Sequence, residues 1–292
     1  MNNLRNYVED NILSSVETPG QYIGGEWNSI IKNHNVVDVT IALAFPDTYT
    51  IGMSHLGIQI LYGLLNERCD TVCERVFAPW PDMEDALRKH NVPLYSLETF
   101  KPLRNFDIIG FSLQYEMSYT NVLNMLDLAK IPLRRQERTD EDPIIMAGGP
   151  LALNPEPMSD FIDIFFVGEG EERFTDFIEC FKAAKQSKGL TREERILSLV
   201  KELDNLYAPS LYDVTYESDG TIKTVVPIVT GIPRVVRSAT VSNLDTAYFP
   251  EKLIVPFVET AGLQILPGRH DEKTKQNPFS RYYTKAIRSV LP

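Results

Sequence analysis

Four short stretches carry the residues with chemical potential. One runs over residues 46–57 and holds Met53, Ser54, His55 and Gly57. The second is Ser112-Leu113, leading to Tyr115 and Glu116. The third is Gly148-Gly149-Pro150, and the fourth is Gly168-Glu169-Gly170-Glu171. Glycine leaves the backbone bare, so a ligand can approach closely. Ser54 and Ser112 offer hydroxyls to the amides or phosphate of a ligand tail. His55 could ligate a metal, and it also suits the start of a capped helix. Glu169, Glu171 and Glu172 stand where a helix should begin. The helix dipole favours carboxylates there, so capping competes with acid–base work. Singly each loop is ordinary. Together they favour a planar or nucleotide-like cofactor over an empty edge.

Other chemistries find less support. No GxxxxGK[ST] occurs, and no GxGxxG opens a helix after the first strand. Gly168-Glu169-Gly170 lacks a third glycine, and its carboxylates would repel a pyrophosphate. The three cysteines are Cys69, Cys73 and Cys180. One helical turn could bring the first two together, but no further ligand follows nearby, so a zinc or iron–sulfur site is unsupported. An odd, sparse set suits a reducing compartment.

The elements that must position these loops follow from periodicity. Residues 36–45, 71–77, 107–112, 144–147 and 162–167 are short, nearly continuous apolar runs. Such runs are strands buried on both faces of a parallel sheet. Amphipathic segments at 55–66, 82–90, 118–129 and 172–187 read as the helices between and after them, the first capped by Ser54. Residues 94–97 read as a further short strand. The alternation predicts an α/β fold, a doubly wound parallel sheet of the flavodoxin-like or Rossmann-like kind, in order 2-1-3-4-5. Chain order then puts all four loops at one edge, where ligands bind in such sheets.

A short helical lead (1–35) precedes this domain (36–187), with a helix at 6–16 and helical character toward the end of 22–32. Residues 188–260 read as a linker and a partial α+β extension. It holds a charged helix at 191–205, a hairpin of 211–216 with 222–229 around Asp219-Gly220, and an apolar strand at 253–258. Residues 261–292 are polar with little periodicity and read as a divergent, poorly packed tail.

The totals exclude some partners. The 292 residues carry a formal charge of -11. Phosphate neutralisation needs clustered Lys and Arg, so a general nucleic-acid binder is disfavoured. No apolar run approaches the roughly 20 residues that span a bilayer. The acidic, amphipathic start is unlike a signal peptide. A cytoplasmic location is expected.

The stretches PDTYTIGMSHLGIQILYGLLN, ERVFAPWPDME, DIIGFSLQYEMSYTNVLNML and GGPLALNPEPMSDFIDIFFVGEGEE resemble the N-terminal half of B12-binding radical SAM proteins. The resemblance is to a large bacterial branch of unassigned function near the YgiQ-like group, and it covers residues 22–260. It implies a cobalamin-binding Rossmann-like domain. The implied lining is Met53, Ser54, His55, Gly57, Ser112, Leu113, Tyr115, Glu116, Gly148, Gly149, Pro150 and Gly168 through Glu171. In that family a downstream barrel holds a 4Fe–4S cluster through CxxxCxxC and cleaves S-adenosylmethionine. Two departures stand out. Met53-Ser54-His55-Leu56-Gly57 lacks the aspartate of DxHxxG and has its glycine at the wrong offset, so cobalt without a histidine lower ligand is expected. Residues 261–292 contain no cysteine, so the end reads as a truncation, a frameshift or a misplaced gene end. Neither cluster nor S-adenosylmethionine is expected here, and the implied partner is a separate barrel chain. A flavodoxin-like module taking FMN or a nucleotide, without catalysis, is the alternative, and a fragment with no ligand is a third reading.

Overall fold

The computed structural model describes residues 2–187, 189–243 and 245–255. Five strands form a parallel sheet: β1 (Val39–Phe45), β2 (Thr71–Phe77), β3 (Ile108–Ser112), β4 (Ile144–Gly148) and β5 (Ile164–Phe166). Every residue of β1, β2 and β5 is buried, as continuous apolar runs require of strands covered on both faces. The order is β2-β1-β3-β4-β5, the doubly wound arrangement expected, extended by β6 (Leu206–Tyr207). β6 pairs antiparallel with β5. Its two residues are too few to show a period, so periodicity does not reveal it.

Helices α3 (Leu56–Glu67), α4 (Pro81–His90), α5 (Tyr119–Leu128) and α6 (Arg173–Gln186) link and cover the strands. Their buried residues lie on one stripe, for example Phe174, Phe177, Ile178 and Phe181 of α6. α7 (Arg192–Glu202) begins at a capping box between Thr191 and Glu194. It is followed by the hairpin β7 (Tyr212–Tyr216) and β8 (Ile222–Pro227). α1 (Asn2–Asn11) leads the chain.

Several details differ from expectation. Residues 22–32 form no helix; Gly24 and Gly25 both take positive φ, which breaks helical propagation. The first strand starts at Val39, because His34–Val36 make a 3-10 turn. Residues 94–97 make only an isolated bridge, Tyr95 with Pro102. An unforeseen short helix, α2 (Tyr49–Met53), follows β1. Ser54 does not cap α3: its hydroxyl donates to the Thr50 carbonyl at 2.8 Å, closing α2, and His55 holds the cap position. The strand expected at 253–258 lies partly outside the described residues, and the tail 261–292 lies wholly outside them.

Candidate functional site

β1 and β3 are neighbours, and their connections leave toward opposite sides of the sheet. The crevice above that switch point is where ligands bind in such sheets. Two loops flank it, one after β1 and one after β3. They are tied together: the Tyr115 hydroxyl donates to the Asp47 carboxylate, and Asn121 Nδ2 donates to the Pro46 carbonyl at 2.9 Å. The bond to Asp47, with some burial, pushes the Tyr115 phenol up to about 12.

The loop after β4 locks onto the loop after β3. Leu113 N donates to the Gly148 carbonyl at 2.8 Å. Gly149 takes φ +93, and a Cβ there would stand 2.6 Å from the Leu113 carbonyl and 3.1 Å from Gln114 Nε2. Its bareness therefore serves a crossing of two loops within the chain. Gln114 Nε2 donates to Ser112 Oγ at 2.8 Å. Pro150 opens a 3-10 turn through Leu153, and Glu116 opens another through Ser118. Leu113 is fully buried.

His55 turns inward over the Phe45 ring, 5.4 Å between centroids. Burial holds its pKa below the ordinary value, and a hydrogen bond with the Gln114 side chain acts the other way. Its Nδ1 is buried with no hydrogen-bond partner. A Cβ on Gly57 would lie 3.0 Å from the His55 ring. Ser112, Gln114, Gly149 and His55 thus gather at the switch point, while Ser54 is turned to α2.

The fourth stretch stands apart. Gly168 takes φ +102 and forms a parallel bridge with Ala239; a Cβ on it would lie 2.2 Å from the Ala239 carbonyl. Gly170 packs against Leu61 of α3 at 2.9 Å by the same measure. These glycines accommodate the chain's own downstream segment and helix.

Beneath the β1 loop lies a buried charge cluster that the sequence reading missed. Arg75 of β2 donates to Glu26 at 2.9 and 2.8 Å and through Nε to Glu98 at 2.6 Å. Tyr49 of α2 donates to Glu26 at 3.1 Å, and Arg75 Nη1 lies 3.0 Å from Met53 Sδ. Burial pushes the Glu26 carboxyl up, but Arg75 outweighs it and holds the group below its usual range. The signal was Glu74-Arg75, two charges in the middle of a strand whose other residues are uncharged.

A second missed feature is an apolar rim on the same edge. Ile51, Trp80, Tyr115, Met117 and Leu153 come from the loops after β1, β2, β3 and β4, and are 49, 54, 39, 84 and 71% exposed. Exposed apolar side chains that share one edge of the sheet make that edge a candidate interaction surface.

The cysteines fall on separate places: Cys69 exposed before β2, Cys73 buried in β2, Cys180 half-buried on α6. Among the described residues no group of three His, Cys, Asp or Glu is arranged to hold a metal ion. Among them, too, no helix is long and apolar enough to cross a membrane.

Residues 57–209 match the family described as radical SAM proteins, N-terminal. The chain belongs to that family. The matched region runs from α3 through the loop after β6 and includes the loops after β2, β3, β4 and β5. Over 133 residues the chain is 30% identical to the uncharacterized protein MJ0966 of Methanocaldococcus jannaschii, a match covering 45% of this chain and 24% of that protein. The match therefore spans about a quarter of that relative's length. No solved structure matches the chain. The radical SAM relation expected from the loops is thereby shown.

Proposed function

We propose that the α/β unit is the cobalamin-binding domain of a B12-dependent radical SAM protein, related to the YgiQ-like branch, whose iron–sulfur barrel lies in another polypeptide or segment. The observation that carries this reading is the apolar rim over the β1/β3 switch point. A corrin ring is broad, flat and largely apolar at its faces, and Ile51, Tyr115, Met117 and Leu153 offer it matching surface. The Ser112 hydroxyl and the backbone of Gly149 and Pro150 would supply polar contacts beside that surface for the cofactor's amide side chains, while the bond from Leu113 N to the Gly148 carbonyl holds the two loops in place. When bound, cobalamin would supply methyl-transfer or electron-transfer chemistry; this chain's own part is to hold and orient it.

The reading includes a cobalt without a histidine lower ligand. His55 is the only histidine at this edge among the described residues. Its Nδ1 is buried, and Gln114 hydrogen-bonds its side chain, so presenting it to a ligand requires the β1 loop to move. A flavin or nucleotide module is the rival. It is less favoured because the edge offers an apolar rim and no anion cradle of the recognised kinds. The test is titration of the purified protein with hydroxocobalamin, followed by gel filtration. Stoichiometric retention with a shifted visible spectrum supports the reading. Retention of FMN but not of cobalamin would replace it with the rival.

A further inference from the structure

The Gly-Glu-Gly-Glu loop faces a segment that came much later in the chain. Ala239 N donates to the Val167 carbonyl at 2.9 Å, and Glu169 N donates to the Ala239 carbonyl at 2.8 Å, so residue 239 extends the parallel pairing beyond β5. Val241 N donates to the Glu169 carboxylate. Ser242 donates to Glu172 Oε1 through N at 3.1 Å and through Oγ at 2.8 Å. Arg237 N donates to the Asp204 carbonyl at 2.9 Å. Residues 237–242 are therefore gripped by backbone on one side and by two carboxylates on the other.

The grip continues over α3. A Cβ on Gly63, inside that helix, would lie 2.1 Å from the Tyr248 hydroxyl. Glycine weakens a helix interior, so its presence under Tyr248 reads as a seat for that ring. Farther on, Ile254 N donates to Gln59 Oε1 at 3.3 Å, and Asn28 Nδ2 donates to the Leu253 carbonyl at 2.7 Å. The segment thus crosses from the end of β5, over α3, to the N-terminal lead.

We propose that the Gly168–Glu172 loop is a latch for this strap and not part of the cofactor site. Gly168 gives the strap backbone room, Glu169 and Glu172 hold its amides, and Gly63 fixes its register on α3. The strap carries the chain out of the α/β unit, so the latch sets where the following region of a radical SAM protein departs. One consequence rests on the cobalamin reading: the cofactor is confined to the loops after β1, β3 and β4, because the strap occupies the end of β5.

Hydrogen–deuterium exchange on the cofactor-free protein tests the latch without reference to cobalamin. In Glu169→Gln/Glu172→Gln the amides of Val241 and Ser242 should exchange about tenfold or more faster, since each charge-assisted bond is weakened, while β1 to β4 keep wild-type rates. Tyr248→Ala, which removes a half-buried ring from outside the sheet, should speed exchange at Ile254 in the same way. Wild-type rates throughout the strap in both variants would overturn the proposal. So would acceleration of β1 to β4 equal to that of the strap, which would make the loop a part of the core. Titrated with hydroxocobalamin, the double glutamate variant should bind within about twofold of wild type. A large loss of binding would return the loop to the cofactor site and overturn the latch assignment. If wild type binds no cobalamin, the cofactor reading falls, and the exchange result alone decides for or against the strap.

Discussion

Arg75→Met should cost this protein a large share of its stability. The Arg75 side chain has no exposed surface, Glu98 has none, and that of Glu26 is 11% exposed. Methionine keeps most of the apolar stem but removes the guanidinium, leaving the Glu26 and Glu98 carboxylates without their shared cation. Removing one partner of a buried pair costs about 3–5 kcal/mol, because the remaining charge is left uncompensated. The whole domain is held by only about 5–15 kcal/mol. Urea unfolding followed by circular dichroism should show the midpoint falling with little change in slope. Burial already pushes the Glu98 carboxyl up, against the pull of Arg75, so losing the cation should raise it further. A carboxyl raised in the folded state opposes folding at high pH and is relieved as pH falls. The penalty should therefore be complete at alkaline pH and shrink as pH falls through the raised folded value toward the ordinary carboxylate range. Changing Glu26 and Glu98 to Gln in the same chain should recover much of the loss. A penalty under about 1 kcal/mol for Arg75→Met alone, the range of exposed ion pairs, would refute the reasoning.

Other outcomes follow from the site. Gly149→Ala should lower stability by about 1–2 kcal/mol or more, from the left-handed φ and the clash with the Leu113 carbonyl; an unchanged melting temperature would contradict the loop-crossing role. His55 has a pKa below its ordinary 6.5 when folded, so the folded state binds fewer protons there than the unfolded one. Its stability contribution is complete above the ordinary 6.5 and is lost as pH falls from there through the lower folded value; thermal melts below 6.5 should show the loss, and His55→Gln should flatten it. Anaerobic reconstitution with iron and sulfide should give no stoichiometric cluster and no 5′-deoxyadenosine from S-adenosylmethionine, since Cys69, Cys73 and Cys180 sit on separate elements; iron near four per chain with product formed would show a cluster site that this account lacks.

The sheet was legible because strands buried on both faces leave continuous apolar runs, and β2 was read at its observed bounds, Thr71–Phe77. The winding followed from alternation alone. What escaped was whatever depends on contacts between distant residues. β6 has two residues, and α2 five, too short for a period to appear. The lead was read as partly helical, but Gly24, Gly25 and the pull of Arg75 on Glu26 draw it out. The switch-point loops were placed correctly at one edge by chain order. The strap across Gly168 could not be read, because its partner lies about 70 residues away. Sequence glycines looked alike, yet Gly149 serves a loop crossing and Gly168 seats a strap. The apolar rim could have been found by asking which apolar residues fall in the loops at strand ends, where burial has no reason to claim them.

The central claim is that the rim over β1 and β3 receives cobalamin. Equilibrium titration with hydroxocobalamin, comparing wild type with a Met117→Glu/Leu153→Glu variant, tests it most directly. Both side chains are exposed, so the fold should survive, as circular dichroism would confirm. The account predicts stoichiometric binding by wild type and affinity at least about tenfold weaker in the variant, from charge placed against an apolar ring face. Equal binding by the two proteins, or no binding by wild type, would contradict it.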